Sequence, residues 1–167
     1  MKRLLTALLL GAALGCKPTP PTADPYASMP RARAFVVEFY AWYWKADSTK
    51  NVDTVMARRR SWLASDLAAL VDSDNACAAR THGECRMEED PFLASQDPCQ
   101  RYEVGGAIVH GDTLGFSVFG VCEGKRDTAP AVIALVLPHD STWQFVNFVY
   151  PTEHRDLRSI LNRKVGG

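Results

Sequence analysis

Residues 101–123 read Arg101-Tyr102-Glu103-Val104-Gly105-Gly106-Ala107-Ile108-Val109-His110-Gly111-Asp112-Thr113-Leu114-Gly115-Phe116-Ser117-Val118-Phe119-Gly120-Val121-Cys122-Glu123. Two runs dominated by β-formers, 101–110 and 113–123, flank Gly111-Asp112, a two-residue Gly-X turn suited to a type II′ hairpin. A second pair of runs, 131–137 and 143–150, surrounds Pro138-His139-Asp140-Ser141, and Pro151 ends its last strand. Upstream of Gln100 the period is helical instead. Phe35, Val36, Phe39, Tyr40 and Tyr43 recur at helical spacing, with Arg31, Glu38 and Lys45 on the opposite side. Val37 and Trp44 widen the apolar arc, so this helix is covered on most of its circumference. Ser28 is its candidate N-cap, with Pro30 in the first turn. A less regular segment, 52–60, leads to a second helix capped by Ser65 and running to about residue 79. Thr152 is placed to cap a final helix, 153–164, with Leu157, Ile160 and Leu161 on one side. Helices first and an antiparallel sheet afterwards make an α+β fold. The expected architecture has N-terminal helices packed on a curved four-stranded antiparallel sheet, with a short C-terminal helix.

The N-terminus carries a different kind of signal. Lys2 and Arg3 precede an uncharged, mainly apolar run from Leu4 to Leu14, and Gly15 stands before Cys16. This is the layout of a secretory signal. Ala13-Leu14-Gly15-Cys16 resembles the lipobox of bacterial lipoproteins, in which the cysteine is acylated and the peptide is cut before it. The resemblance implies a signal peptide at 1–15 and lipid attachment at Cys16. The apolar run is too short to span a bilayer, which takes about 20 residues. Lys17 follows the cysteine where an aspartate would signal inner-membrane retention, so resemblance to sorted lipoproteins implies the periplasmic face of the outer membrane. Residues 16–27 include Pro18, Pro20, Pro21 and Pro25. Proline fixes φ and lacks a donor, so this stretch reads as an extended tether of roughly 3 Å per residue. One domain, 28–167, follows; that length supports a single sizeable core.

Cutting before Cys16 removes two of the 19 basic residues and none of the 19 acidic ones. The resulting formal charge of about −2 gives no reason to expect nucleic-acid binding, which needs a concentrated basic face. The one basic run, Arg58-Arg59-Arg60, reads as a solvated helix face or its exit loop.

The order of elements, with Phe39-Tyr40 in the first helix and Trp143 in the last strand, is similar to the nuclear-transport-factor-2-like cone fold. Closer is the resemblance to the YbjP-like family of bacterial lipoproteins. The shared elements are the lipobox, the Phe-Tyr pair, Asp90-Pro91-Phe92, Gln96-Asp97, and the strand Trp143-Gln144-Phe145-Val146-Asn147-Phe148-Val149-Tyr150. It spans about residues 33 to 151 and implies fold and location, since the family carries no established activity.

Cys77, Cys85, Cys99 and Cys122 form an even set in an exported domain, which argues for disulfides. If Gly111-Asp112 is the turn, His110 opposes Thr113, Arg101 opposes Cys122, and Cys99 is a diagonal neighbour of Cys122 on the same face. Cys77 and Cys85 are then left to each other. The rival reading joins Cys77, His82, Cys85 and Cys99 as zinc ligands. No Cys-x2-Cys pair supports it, and an oxidising compartment favours the bridges, so no metal is expected.

Chemical motifs are sparse. There is no Gly-x-Ser-x-Gly, no phosphate loop and no His-Glu-x-x-His, and no cofactor is expected. The resemblance to the cone fold, whose enzymes place Asp, His or Tyr in a cavity between helix and sheet, implies Tyr40, Tyr102, Asp90, Asp97 and His110 as the groups to face it. Structural roles suit each better: a core tyrosine with a satisfied hydroxyl, aspartates before or near proline in turns, and a histidine beside a hairpin turn. Two functional classes remain. One is a membrane-anchored binding or assembly module that docks on another envelope protein or takes a small apolar ligand, with Tyr40, Asp90, Phe92, Gln96 and Asp97 as the candidate site. The other is a hydrolase or isomerase using a pocket carboxylate. The module is the favoured reading, with Trp42 at the border of the helix's apolar arc as a candidate interface anchor.

Overall fold

The two β-forming runs around Gly111-Asp112 close on each other as expected. In the computed structural model, which describes residues 25–49, 58–83 and 85–163, they are β1 (Arg101–His110) and β2 (Thr113–Cys122). His110 faces Thr113, and Gly111 takes φ +60°. That is the first position of a type II′ turn, free of steric cost for glycine. The stretch read as a signal peptide (1–15), Cys16, the expected tether up to Asp24, and positions 50–57 lie outside the described residues.

The ladder then departs from the simple hairpin. Between Val104 and Ala107 it slips by one residue at Gly105-Gly106, so Arg101 opposes Val121 and not Cys122. A Cβ on Gly105 would lie 2.7 Å from the Phe119 ring, so this bulge is built around a missing side chain.

The sheet is antiparallel and has six strands where four were expected, because two-residue strands extend it. Its order is β1-β2-β4-β5-β6, with β3 beside β2. Here β3 is Lys125–Arg126, β4 is Val132–His139, β5 is Thr142–Tyr150 and β6 is Arg155–Asp156. Glu123 and Gly124 both take positive φ, as in a type I′ turn, and this folds β3 straight back onto the end of β2. In β5 a second bulge interrupts the alternation. Val136 pairs with Phe145 and Leu135 with Asn147, so Val146 is the extra residue. That one-residue shift turns Trp143, Phe145, Phe148 and Tyr150 all to the buried side.

Against that face lies α1 (Pro25–Thr49). Its buried side carries Ala32, Val36, Phe39, Tyr40 and Tyr43, and it meets Phe116, Val118, Ala134, Phe145 and Phe148 from the strands. The Phe39 ring sits 4.7 Å from Phe145, 5.6 Å from Trp62 and 5.7 Å from Phe92. The buried face is narrower than the arc read in the sequence: Val37 is exposed and Trp44 only half-buried, so the helix is covered on one side and not on most of its circumference.

Helix boundaries differ from the sequence reading in three places. α1 begins at Pro25, not after Ser28; proline suits the first helical position, where no donor is needed. Pro30 thus lies inside the helix, costing one intrahelical bond. The second helix, α2 (Ser65–Thr81), is preceded by Ala64 and has no side-chain cap, so Ser65 is not the N-cap. The reason is tertiary: Ala64 N donates to Phe145 O and Phe145 N to Trp62 O, both at 2.8 Å, and this pairing with β5 fixes where the helix starts. The last helix, α3 (Leu157–Leu161), is much shorter than 153–164 and is capped by Asp156, not Thr152. Asp156 accepts from Ser159 N at 3.0 Å and from Asn147 Nδ2 at 2.8 Å. The chain must pair with β5 as β6 before it can turn helical.

Candidate functional site

The segment between α2 and β1 carries most of the residues singled out from the sequence, and both of its ends are tied down. Cys77 is bridged to Cys85 and Cys99 to Cys122, with Cα–Cα separations of 6.0 and 4.7 Å. These are the expected pairings, and they consume the thiols that a zinc site would need. The register beside the second bridge differs by one residue from the simple hairpin, Arg101 facing Val121. The bridge closes because the chain leaves the strand at Gln100, letting Cys99 swing across Gly120, where a Cβ would lie 2.8 Å from the Cys99 Sγ. Asp74, buried on α2, accepts from Arg86 N at 3.0 Å and Met87 N at 3.3 Å. This clamps the segment just after Cys85.

Asp90 organises the middle. Its Oδ1 accepts from the Phe92 and Leu93 amides at 2.8 and 3.0 Å, and its Oδ2 accepts from the Tyr43 hydroxyl at 2.6 Å. Asp90 N donates to Ser95 O at 3.3 Å, and Ala94 N to Asp90 O at 2.8 Å. The segment 90–95 is thus a closed turn built on one aspartate. Phe92 leaves this turn for the core and is fully buried, its ring 4.9 Å from Phe148 and 5.4 Å from Tyr43. Tyr40 donates to Phe92 O at 3.0 Å and Tyr150 to Pro91 O at 2.8 Å. Three tyrosines from α1 and β5 therefore hold one turn.

Arg59 is the member of this cluster that sequence reasoning missed. Its Nη2 donates to the Tyr43 hydroxyl at 2.8 Å, and its guanidinium lies 5.0 Å from the Phe92 ring centroid and 5.1 Å from that of Tyr43. Its Nε is buried and has no hydrogen-bond partner among the described residues. The three arginines read as one solvated run have separate roles. Arg58 covers the Trp42 ring at 5.0 Å and Arg60 pairs with Asp72 at 2.7 Å. Trp42 is half-buried and stacks on Trp62 at 6.1 Å. An Arg-Arg-Arg string carries no sign of which side chain turns inward, so only the fold reveals Arg59.

Burial pushes the Asp90 carboxyl above the usual aspartate range, opposed by the Tyr43 hydrogen bond, the Phe92 amide and the Arg59 charge. Burial likewise raises Tyr40 well above the usual tyrosine value, with the Asp90 charge adding to it. Tyr102 is pushed up to about 12, again first by burial. These hydroxyls stay protonated; that of Tyr40 donates to Phe92 O, whereas that of Tyr102 accepts from Cys99 N. Asp90, with both oxygens occupied by internal donors, is arranged to hold the turn and not to take a proton from a substrate.

Asp90→Ala should destabilise the protein by about 2–3 kcal/mol, because it leaves two amides and a hydroxyl without their acceptor. Asp90→Asn keeps an acceptor for the amides and should cost less. The pH dependence has a definite sign. A carboxyl whose folded pKa is raised favours the fold while protonated, and that contribution is lost as pH rises through the raised value. Urea midpoints against pH should therefore show Asp90→Asn improving relative to the native chain above the usual aspartate range.

Outside this turn the surface is acidic and open. Met87, Glu88, Glu89, Ser95, Gln96 and Pro98 line, with Asp90, a shallow depression of about 490 Å³. Gln96 Nε2 donates to Glu88 O at 3.0 Å, and Asp97 N to Ser95 Oγ at 3.0 Å; both side chains are exposed. The candidate site residues thus divide: Tyr40, Asp90 and Phe92 build the turn from inside, whereas Gln96 and Asp97 lie on its outer surface. His110 is exposed at the hairpin end of β1, away from this cluster. Tyr102 is half-buried, its hydroxyl accepting from Cys99 N at 3.3 Å.

Comparison with protein-family models, characterised proteins and solved structures finds no match.

Proposed function

We propose that the chain is a lipid-anchored envelope protein whose folded domain acts as a binding or assembly module through the outer surface of the 85–99 segment. The observation that carries this reading is how that segment is held. A disulfide stands at each end, Asp74 clamps its first residues, and Asp90 with Tyr40, Tyr43 and Tyr150 fixes its middle. A surface fixed in this way loses little conformational entropy on docking, which is where much of the cost of association lies. Glu88, Glu89, Gln96 and Asp97 give it an acidic, hydrogen-bonding character, so a basic face on another envelope protein is the matching partner. The alternative, catalysis by a pocket carboxylate, would fall to Asp90, whose raised pKa suits it; its three internal hydrogen bonds favour the module. The resemblance of residues 33–151 to the YbjP-like lipoproteins, and that of residues 13–16 to a lipobox, support the envelope location and leave the module to rest on the geometry of the 85–99 segment.

Two measurements test it. Cys16→Ser should abolish acylation and retain the uncut or differently cut precursor; mass spectrometry of mature protein with an unmodified Cys16 would refute the anchor. A photo-cross-linking residue at Gln96 should capture a discrete envelope partner in intact cells, and Glu88→Lys with Glu89→Lys should abolish capture while the fold persists. Capture that survives the double charge reversal would remove this surface from the function.

A further inference from the structure

A second concavity lies away from the 85–99 segment and shares no residue with it. It opens between the N-terminal half of α1 and the turns of both hairpins, Gly111-Asp112 and Asp140-Ser141, and has a volume of about 760 Å³. Its floor is apolar and partly aromatic: Leu114 is fully buried, Trp143 is nearly so, and Phe35 is half-buried. Phe35 cannot drift into the space, because its ring rests 4.9 Å from Trp62 and 5.0 Å from Phe145. Clefts of this size with an apolar floor and a few polar groups at the mouth are the usual form of small-ligand sites.

The charges at the mouth set the sign of what fits. Among the described residues, Glu38 on α1, Asp112 in one hairpin turn and Asp140 in the other bring three carboxylates to the rim, against one cation, Arg31. All four residues are exposed. His139 Nε2 stands 3.8 Å from Asp140 and offsets its charge only when protonated. An aromatic floor adds to the preference, since ring faces attract cations. We infer that this groove binds a small organic cation with an apolar body. Ala34, Phe35 and Pro138, above a floor of buried Leu114 and Trp143, take the body, and the cationic centre sits among Glu38, Asp112 and Asp140.

The inference does not depend on the role assigned to the 85–99 surface. The test uses tetraphenylphosphonium and tetraphenylborate, ions of nearly the same shape and opposite charge, titrated calorimetrically into the full chain carrying Cys16→Ser, which has no acyl group to draw the probes. Tetraphenylphosphonium should saturate a single site with Kd below about 1 mM. Tetraphenylborate should bind about ten-fold more weakly, the size expected of a few exposed ion pairs. Asp112→Asn with Asp140→Asn should bring the two affinities together. Ala34→Trp, at an exposed position of α1 on the groove wall, should block both probes with the circular dichroism unchanged. Equal or tighter borate binding, absence of saturable phosphonium binding, or binding untouched by Ala34→Trp would overturn the assignment.

Discussion

Replacing Phe92 with alanine should cost about 3–5 kcal/mol of folding stability, the range for truncating a buried phenylalanine. The ring is fully buried and packs on Phe39, Tyr43 and Phe148 at 5.7, 5.4 and 4.9 Å. Its loss leaves a cavity that these rigid rings fill poorly. It also removes one of the two faces against which the Arg59 guanidinium lies. Phe92→Leu should recover part of the loss by filling the volume without the aromatic contacts. Chemical denaturation of both variants checks the order. A Phe92→Ala cost below about 1 kcal/mol would mean that the turn is not part of the cooperative core.

Loss of the Cys99–Cys122 bridge should destabilise the protein by about 3 kcal/mol on the chain-entropy estimate. The bridge spans 23 residues of sequence, whereas Cys77–Cys85 spans 8, so the latter should contribute somewhat less. Opening both should therefore be among the largest perturbations available, comparable with the whole stability of many domains. The position of the longer bridge gives a second readout. It joins the end of β2 to the exit of the 85–99 segment, so Cys99→Ser with Cys122→Ser should raise amide exchange at residues 95–100 before it affects β4 and β5. Uniform loss of protection would show instead that the bridge acts only through the unfolded chain.

Much of this architecture was legible because it depends on local signals. A Gly-Asp pair between two β-forming runs specifies a two-residue hairpin whatever surrounds it. The 3.6-residue spacing from Phe35 to Tyr43 specifies a helix with a buried side, and four cysteines behind a stretch that reads as an export signal point to two bridges. The resemblance of residues 13–16 to a lipobox is likewise a local pattern, read from the sequence alone.

What the sequence did not reveal depends on distant partners. The bulge at Gly105-Gly106 is set by the Phe119 ring packing where a side chain would stand, and it moved the strand register by one. The extra residue at Val146 exists because Phe145 and Phe148 must both reach the core under α1. Ser65 and Thr152 have good capping chemistry, yet pairing with β5 decided where α2 and α3 begin. Arg59 could not be told from Arg58 and Arg60 until α1 and the Phe92 turn created the slot between Tyr43 and Phe92. Likewise the groove over Leu114 and Trp143 combines one helix with two hairpin turns more than 70 residues along the chain. Turn chemistry and hydrophobic period are properties of neighbouring residues and can be read in order; register, cap choice and site assembly are decided by side chains that meet only after the chain has folded.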